Sequence, residues 1–247
     1  MLKPLHPQSG NRPRPEATPT SQVGDDGSNP PCRISLRLCS DRQDFEAFRW
    51  IIDTYHTYKP WKPSPGRKIC WLIEREGETI GSIAVHSAVL TIKPREDFIG
   101  WDQRQKLVNL NKVANNYRFA LIERGVGSRV LSELEREAKR EWKRKYGDPL
   151  VLLETFVQPP YEGTSYKAAN WTYIGMTKGF AVRRAPVSLW KRAGGERKKL
   201  WESDPHAAAK LYAGWNGGQL VKVTPTPKKH IFARPLHRYW RRELLRV

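Results

Sequence analysis

Apolar and polar positions fall into an ordered pattern from about Arg33 onward. Ile34, Leu36 and Leu38 alternate with Ser35 and Arg37, the period-two signature of a half-buried strand. Asp41 stands where it can cap a helix carrying Phe45, Phe48, Ile51 and Ile52 at helical spacing. That helix runs into Tyr55-His56-Thr57-Tyr58-Lys59-Pro60-Trp61, a stretch dense in aromatic and hydrogen-bonding groups, and Pro60, Pro63, Pro65 and Gly66 hold it out of regular structure. A hairpin follows, with strands over 69–73 and 79–85 around the turn Arg75-Glu76-Gly77-Glu78, and an apolar run continues to Ile92. The pattern then predicts a helix over 103–112, a strand over 117–123 and a long helix over 128–146 with the stripe Val130, Leu134, Ala138 and Trp142. Residues 150–157 are nearly all apolar, as suits a buried central strand. A short helix over 164–171, a strand from Tyr173, a closing strand over 231–235 and a basic amphipathic tail over 239–245 complete the reading, and no internal repeat is visible.

Strand, glycine turn, helix, strand and short helix in that order is the layout of an acyl-coenzyme-A transferase core. The fold expected is therefore α/β, a GNAT-like mixed central sheet flanked by helices. Residues 1–31 are rich in Pro, Ser, Gly and charge without periodicity, and are expected to be a disordered tail. The main domain is expected over 32–190. A basic extension over 191–247 is expected to pack back on it, its first part a loop-rich insertion around a short helix at 205–212.

Hydrophobic residues make up 38% of the 247, enough for a core once the tail is set aside. The formal charge of +19 changes the picture more, because charge of that size favours nucleic acid or an anionic membrane surface as partner. No stretch approaches the roughly 20 apolar residues of a membrane span, and no apolar signal-peptide region opens the sequence, so a cytoplasmic protein is expected. Cys32, Cys39 and Cys70 are an odd set without CxxC spacing, and the histidines show no ligand pair, so neither a disulfide framework nor a metal is expected.

Candidate chemistry gathers in the middle of the chain. The turn Arg124-Gly125-Val126-Gly127-Ser128 sits between a strand and a helix, where backbone amides and the helix dipole favour an anion such as a pyrophosphate. Its bland alternative is a glycine turn with Ser128 as N-cap. Tyr166 precedes a strand, and a phenol that stays protonated at neutral pH suits protonation of a leaving thiolate. The alternative is a packed tyrosine. Arg118 and Glu154 lie inside apolar strands and so must be paired, bind an anion, or, for Glu154, act as a base with raised pKa. His56 is a further candidate base or substrate contact, against simple packing. Aromatics interleave with basic residues around Trp61, Arg140, Lys143, Arg144, Arg241 and Arg242, a mixture that serves phosphates and unpaired bases.

The turn resembles the Gln/Arg-x-x-Gly-x-Gly/Ala coenzyme A motif of the GNAT acetyltransferases, with Arg129 where Gly or Ala is expected. Tyr166-Lys-Ala-Ala-Asn-Trp resembles that family's tyrosine segment. Over Asp53 to Gly179, through Asn111 to Leu121, Leu152 to Pro159 and Gly163 to Gly175, the chain resembles the DruA family of Druantia anti-phage systems, found in defence islands and beside transposases. The order Arg118, Ser128, Tyr166 is also similar to phage Mom proteins, which modify adenine in DNA, although Gln158 stands where those place an Asp. These resemblances imply a DNA-linked role in phage defence or a mobile element. They also imply acyl-type transfer from an acetyl-coenzyme A or related donor to a DNA base or an amine. Gly125, Gly127 and Ser128 would then hold pyrophosphate, Tyr166 act as acid, Glu154 or His56 as base, and Arg118 hold substrate or donor. A non-catalytic nucleic-acid-binding accessory protein and a general N-acetyltransferase remain open alternatives.

Overall fold

A computed structural model describes residues 33–57, 60–61, 66–184, 214–216 and 219–247, with backbone only for 181–184, 214–216 and 219–224. The expected tail over 1–31, Cys32 and the short helix expected at 205–212 lie outside the described residues.

Strands β1 (Ile34–Leu38), β2 (Lys68–Arg75), β3 (Glu78–Ser87), β4 (Val113–Leu121), β5 (Leu152–Val157), β6 (Thr172–Met176) and β10 (His230–Pro235) form one sheet in the order β1-β2-β3-β4-β5-β10-β6. Pairing is antiparallel except between β4 and β5. Strands β7 (Phe180–Arg184), β8 (Gly214–Asn216) and β9 (Gln219–Pro225) make a second, three-stranded sheet. The sequence stretch expected to be an extension thus supplies an interior strand, β10, between β5 and the edge strand β6.

Helices cover both faces. Helix α1 (Arg42–Tyr55) is capped by Asp41, whose carboxylate accepts from the Asp44 amide at 2.9 Å, and it buries Phe48, Ile51 and Ile52 with Cys70, Leu72 and Ala84 of the sheet. The opposite face is covered by α4 (Gly127–Tyr146), whose stripe of Val130, Leu131, Leu134, Ala138 and Trp142 packs on Trp71, Ile83, Val85 and Ala114. Helix α5 (Thr164–Ala168) lies beside α4.

Between β3 and β4 the sequence pattern was misleading. The apolar run after Ser87 leaves the sheet, with Val89 and Leu90 exposed, and Pro94 opens a helix, α2 (Lys93–Ile99). Helix α3 (Gln103–Asn109) is fixed by a capping box between Asp102 and Gln105, and a single 3-10 turn covers Leu110–Lys112. The strand expected from Tyr117 begins at Val113, since Asn115 and Asn116 are strand residues despite their poor propensity. Asn109 and Gln105 donate to the carbonyls of Leu244, Arg246 and Leu245 and so hold the end of α6 (Trp240–Leu244).

Glu154 of β5 and Arg95 of α2 are both 0% exposed, with Arg95 Nη1 at 3.1 and 3.2 Å from the two carboxylate oxygens. Glu96 extends the pair outward, meeting Arg95 at 3.4 Å and Lys106 at 3.3 Å. Removing one member of a buried pair strands the other charge, which costs about 3–5 kcal/mol, whereas an apolar replacement of both is tolerated. Glu154→Gln should therefore lower the urea-unfolding free energy by that amount, and Arg95→Met with Glu154→Leu should recover most of it.

Candidate active site

The backbone creates the site before any side chain does. β4 and β5 pair only from Val113↔Leu152 to Asn116↔Thr155. Beyond that point β4 continues to Leu121 against β3, and β5 continues to Val157 against β10. The two parallel strands part, and a cleft of about 310 Å³ opens between them. At the parting β4 carries a bulge, because Val85 faces Asn116 while Ala84 faces Arg118, leaving Tyr117 as the extra residue. Tyr117 packs with the α1-side cluster and Phe119 with the α4-side cluster. Since both line the cleft, it runs through the sheet from one face to the other.

Asn116 binds the bulge together. Its Nδ2 donates to Ala84 O at 3.0 Å and to Arg118 O at 3.1 Å, which leaves its Oδ1 for the Tyr166 hydroxyl at 2.6 Å. Thr155 donates to Asn116 O at 2.9 Å, with its Oγ1 3.3 Å from Tyr166 Oη. The phenol thus closes the floor of the parting. Its ring is set by Trp171 at 5.0 Å, stacked Phe232 at 6.0 Å and edge-on Phe119 at 6.4 Å. Gly163, ahead of α5, has φ 76°, and a Cβ there would lie 2.5 Å from Phe232, so glycine is what lets α5 bring Tyr166 onto this ring.

Burial pushes Tyr166 up to about 12, and the Thr155 hydrogen bond only partly opposes it. Tyr117 is pushed up to about 12 as well, again chiefly by burial. Each folded-state phenol binds its proton more tightly than the unfolded one, near 10. The stability they contribute is therefore complete below about pH 10 and lost as pH rises toward 12. Equilibrium unfolding across that window should show a steep loss in the native protein and a shallower one in Tyr166→Phe.

A second cavity, of about 450 Å³, adjoins the cleft and shares Leu121, Thr164 and Ser165 with it. Arg124, Gly125, Gly127 and Ser128 line it. Helix α4 starts at Gly127 with Val126 at its N-cap, so Ser128 is not the cap. No side chain caps this turn and no acid lies in it, leaving the amides and dipole directed at the cavity. Gly125 is exposed with φ 86° and open space around it. Gly127 has a different duty. A Cβ there would lie 2.4 Å from Ser165 Oγ, so its bareness permits the α4–α5 approach.

The remaining candidates separate. His56 lines the cleft with Tyr55 and Thr57 at the end of α1. Arg118 sits in the bulge, its guanidinium donating to Tyr117 O at 2.8 Å and lying 5.0 Å from the Tyr117 ring centre. Glu154 does not line the cleft and is engaged by Arg95. Trp61 packs on Phe48 at 6.3 Å and under Arg49 at 5.6 Å rather than offering a bare ring. On α4, Arg140 pairs with Glu137 and Glu141, and Arg144 with Glu141 at 2.7 Å, while Lys143 is exposed. Arg241 and Arg242 are exposed on α6, 4.5 Å from the Trp240 ring and 5.5 Å from the Tyr239 ring. Asn116, Thr155 and Ser165 were missed. Only Asn116 left a trace in the sequence, as one of two adjacent amides in a mostly apolar strand. Among the described residues no group of three or more His, Cys, Asp or Glu side chains is placed to hold a metal ion, and no helix is long and apolar enough to cross a membrane.

Solved structures of similar outline are acyltransferases. FeeM, an N-acyl amino acid synthase from uncultured soil microbes, is 12% identical over 83% of this chain and 92% of its own, with a TM-score of 0.41. The Escherichia coli ribosomal-protein-S18-alanine N-acetyltransferase is 11% identical over 83% and 96%, at 0.42. A GNAT family acetyltransferase from Elizabethkingia anophelis, with acetyl-CoA bound, is 12% identical over 82% and 97%, at 0.36. Superposition this loose carries no inference about chemistry. No curated protein matches the chain. The family model for the Druantia protein DruA matches residues 16–185, well over half of the sequence, and the chain belongs to that family.

Proposed function

We propose that this protein transfers an acyl-type group from a coenzyme A donor to an amine, with a base in nucleic acid as the acceptor class. The observation that carries this reading is the cleft through the sheet, which gives donor and acceptor separate faces and lets them meet at the Asn116–Tyr166–Thr155 floor. The donor's fit rests on the α4 turn. Gly125, Ser128 and the uncapped amides of that turn would hold the pyrophosphate, and Glu123, which also lines this cavity, has its carboxylate paired with Arg75 at 2.7 Å. Arg129 in place of a small residue is accommodated, since it is exposed on the helix surface. Such a donor supplies an activated thioester and a thiolate leaving group.

Tyr166 would stabilise negative charge developing at that sulfur. A phenol held at about 12 is a stronger base when ionised than a thiolate of pKa about 8.5, so it serves as a hydrogen-bond donor more than as a full proton source. Its proton is already directed toward Asn116 Oδ1 and must swing to the sulfur. His56, on the α1 side, is a group within the cleft suited to receive the acceptor's proton. The charge of +19 and the exposed arginines of α6 support a polyanionic partner. Membership in the Druantia family supports a setting in anti-phage defence in the cytoplasm.

Calorimetry with acetyl-coenzyme A tests the donor half. The native protein should bind saturably, and Ser128→Glu should abolish binding, although an acid at this position favours the helix itself. Absence of saturable binding in the native protein would sink the proposal. Tyr166→Phe should keep donor binding while slowing DNA-dependent loss of the thioester by roughly 10² or more. A rate unchanged in Tyr166→Phe would remove the phenol from the chemistry.

A further inference from the structure

The arginines that follow β10 are gathered without a counter-charge. Arg238, Arg241, Arg242 and Arg246 are all exposed. Among the described residues no carboxylate pairs with any of them, and Glu243, the acid of α6, is taken by His237 at 2.9 Å. Acids on the neighbouring helices are engaged as well. Asp97 pairs with Lys93 at 2.8 Å, Glu96 meets Arg95 and Lys106, and Asp102 accepts from the Gln105 amide at 2.8 Å. The arginines of α4 differ, since Arg136, Arg140 and Arg144 each face a glutamate. Like charges collected in this way repel one another, and a polyanion laid across them removes that repulsion.

The platform under them is fixed. Leu244 is fully buried, and Trp240 stacks on Phe98 of α2 at 5.0 Å with 16° between the planes. Asn109 of α3 donates to Leu244 O at 3.0 Å and to Arg246 O at 2.7 Å, and Gln105 donates to Leu245 O at 2.7 Å. Arg241 Nη2 donates to Phe98 O at 3.0 Å, with its guanidinium 4.5 Å from the Trp240 ring centre. Tyr239 gathers two more, Arg238 at 4.5 Å and Arg242 at 5.5 Å from its ring centre. Arginines held against rings on an anchored helix lose less freedom on binding than free side chains do. Because the rings are occupied by guanidinium groups, the surface offers charge with little bare ring for an unpaired base. Such a surface suits phosphates, whose contacts position a nucleic acid without reading its sequence.

Strand β10 carries this surface away from the cleft. Its first residue, His230, pairs with Val157 at the cleft wall, and its last, Pro235, pairs with Leu152. Five strand steps separate those ends, about 17 Å, and α6 follows the far one. We propose that α6 and its flanking residues are a docking surface for the phosphate backbone of duplex DNA, with Arg238, Arg242 and Arg246 as phosphate contacts. The surface grips the duplex at one end of the sheet and leaves the cleft at the other end free for the acceptor. The choice of partner rests on the nucleic-acid half of the reading above and is independent of its coenzyme A half.

Fluorescence anisotropy with a labelled short duplex DNA, in the absence of any coenzyme A, tests it. Arg238→Gln, Arg242→Gln and Arg246→Gln together should weaken binding about tenfold or more. The slope of log affinity against log salt should fall by about 2.7, at roughly 0.9 for each phosphate contact removed. Arg136→Gln, Arg140→Gln and Arg144→Gln together remove the same number of charges from α4 and are the control. Equal weakening by both triple variants, or none by the first, overturns the surface. Unlabelled duplexes of unrelated sequence should compete equally, and a preference of about tenfold or more for one of them overturns a grip on the backbone alone. Vesicles containing phosphatidylserine supply the other anionic surface. Vesicle binding lost in the α6 variant while its duplex affinity stays native assigns the surface to a membrane and overturns the proposal. The substituted arginines are exposed, so an unchanged urea-unfolding midpoint certifies the fold of the variant. Duplex binding that depends on the α6 arginines, in native protein that binds no acetyl-coenzyme A, upholds the surface and overturns the transferase reading. Saturable acetyl-coenzyme A binding without duplex affinity does the reverse.

Discussion

Everything at the centre of this molecule depends on two parallel strands that stop pairing. β4 and β5 share four registered positions and then diverge at Asn116 and Thr155. Diverging strands leave backbone amides and carbonyls in need of partners. The bulge at Tyr117 and the Asn116 side chain meet part of that need, spanning Ala84 O and Arg118 O. Because Asn116 spends its amide on the bulge, its carbonyl oxygen is left to orient Tyr166. One irregularity thus opens the cleft, puts Tyr117 and Phe119 on opposite faces and positions the phenol between the strands.

The elements around the parting hold it from each side. On one, Gly127 and Ser165 bring α4 and α5 close enough for α5 to present Tyr166. On the other, the buried Arg95–Glu154 pair ties α2 to β5 one residue from Thr155. The price of burying those charges is met by mutual pairing and by Glu96 and Lys106 at the outer end. Glu154 is accordingly best understood as an anchor for the strand that carries Thr155. The neighbouring residue faces the cleft because side chains alternate along a strand.

Charge is distributed less evenly than the composition suggests. The basic face of α4 is laddered with Glu133, Glu137 and Glu141, which compensate Arg136, Arg140 and Arg144. Exposed pairs of this kind contribute little to stability, but they reduce the field that α4 presents. The arginines of α6 lie against the rings of Tyr239 and Trp240. The net charge acts locally, where no carboxylate ladder cancels it.

The sequence by itself determined the order of strands and helices over most of the chain, the cap at Asp41, the glycine turn before α4, and the family. These are local properties, set by periodicity, capping and turn chemistry within a few residues. The placement of Tyr166 on a short helix before a strand, and of the Gly125–Ser128 turn at the start of a long helix, was legible for the same reason. The helix α2 was not, because Ser87 to Ile92 carries an apolar run that reads as strand until its exposure is known. The roles of Glu154 and Arg140 were not legible either. A carboxylate in an apolar strand fits a buried base or an anchor equally, and only Arg95, 59 residues earlier, decides between them. Likewise only the tertiary structure joined Asn116, Thr155 and Tyr166, since their contact depends on where β4 and β5 part, and strand pairing across long separations leaves no mark in local sequence.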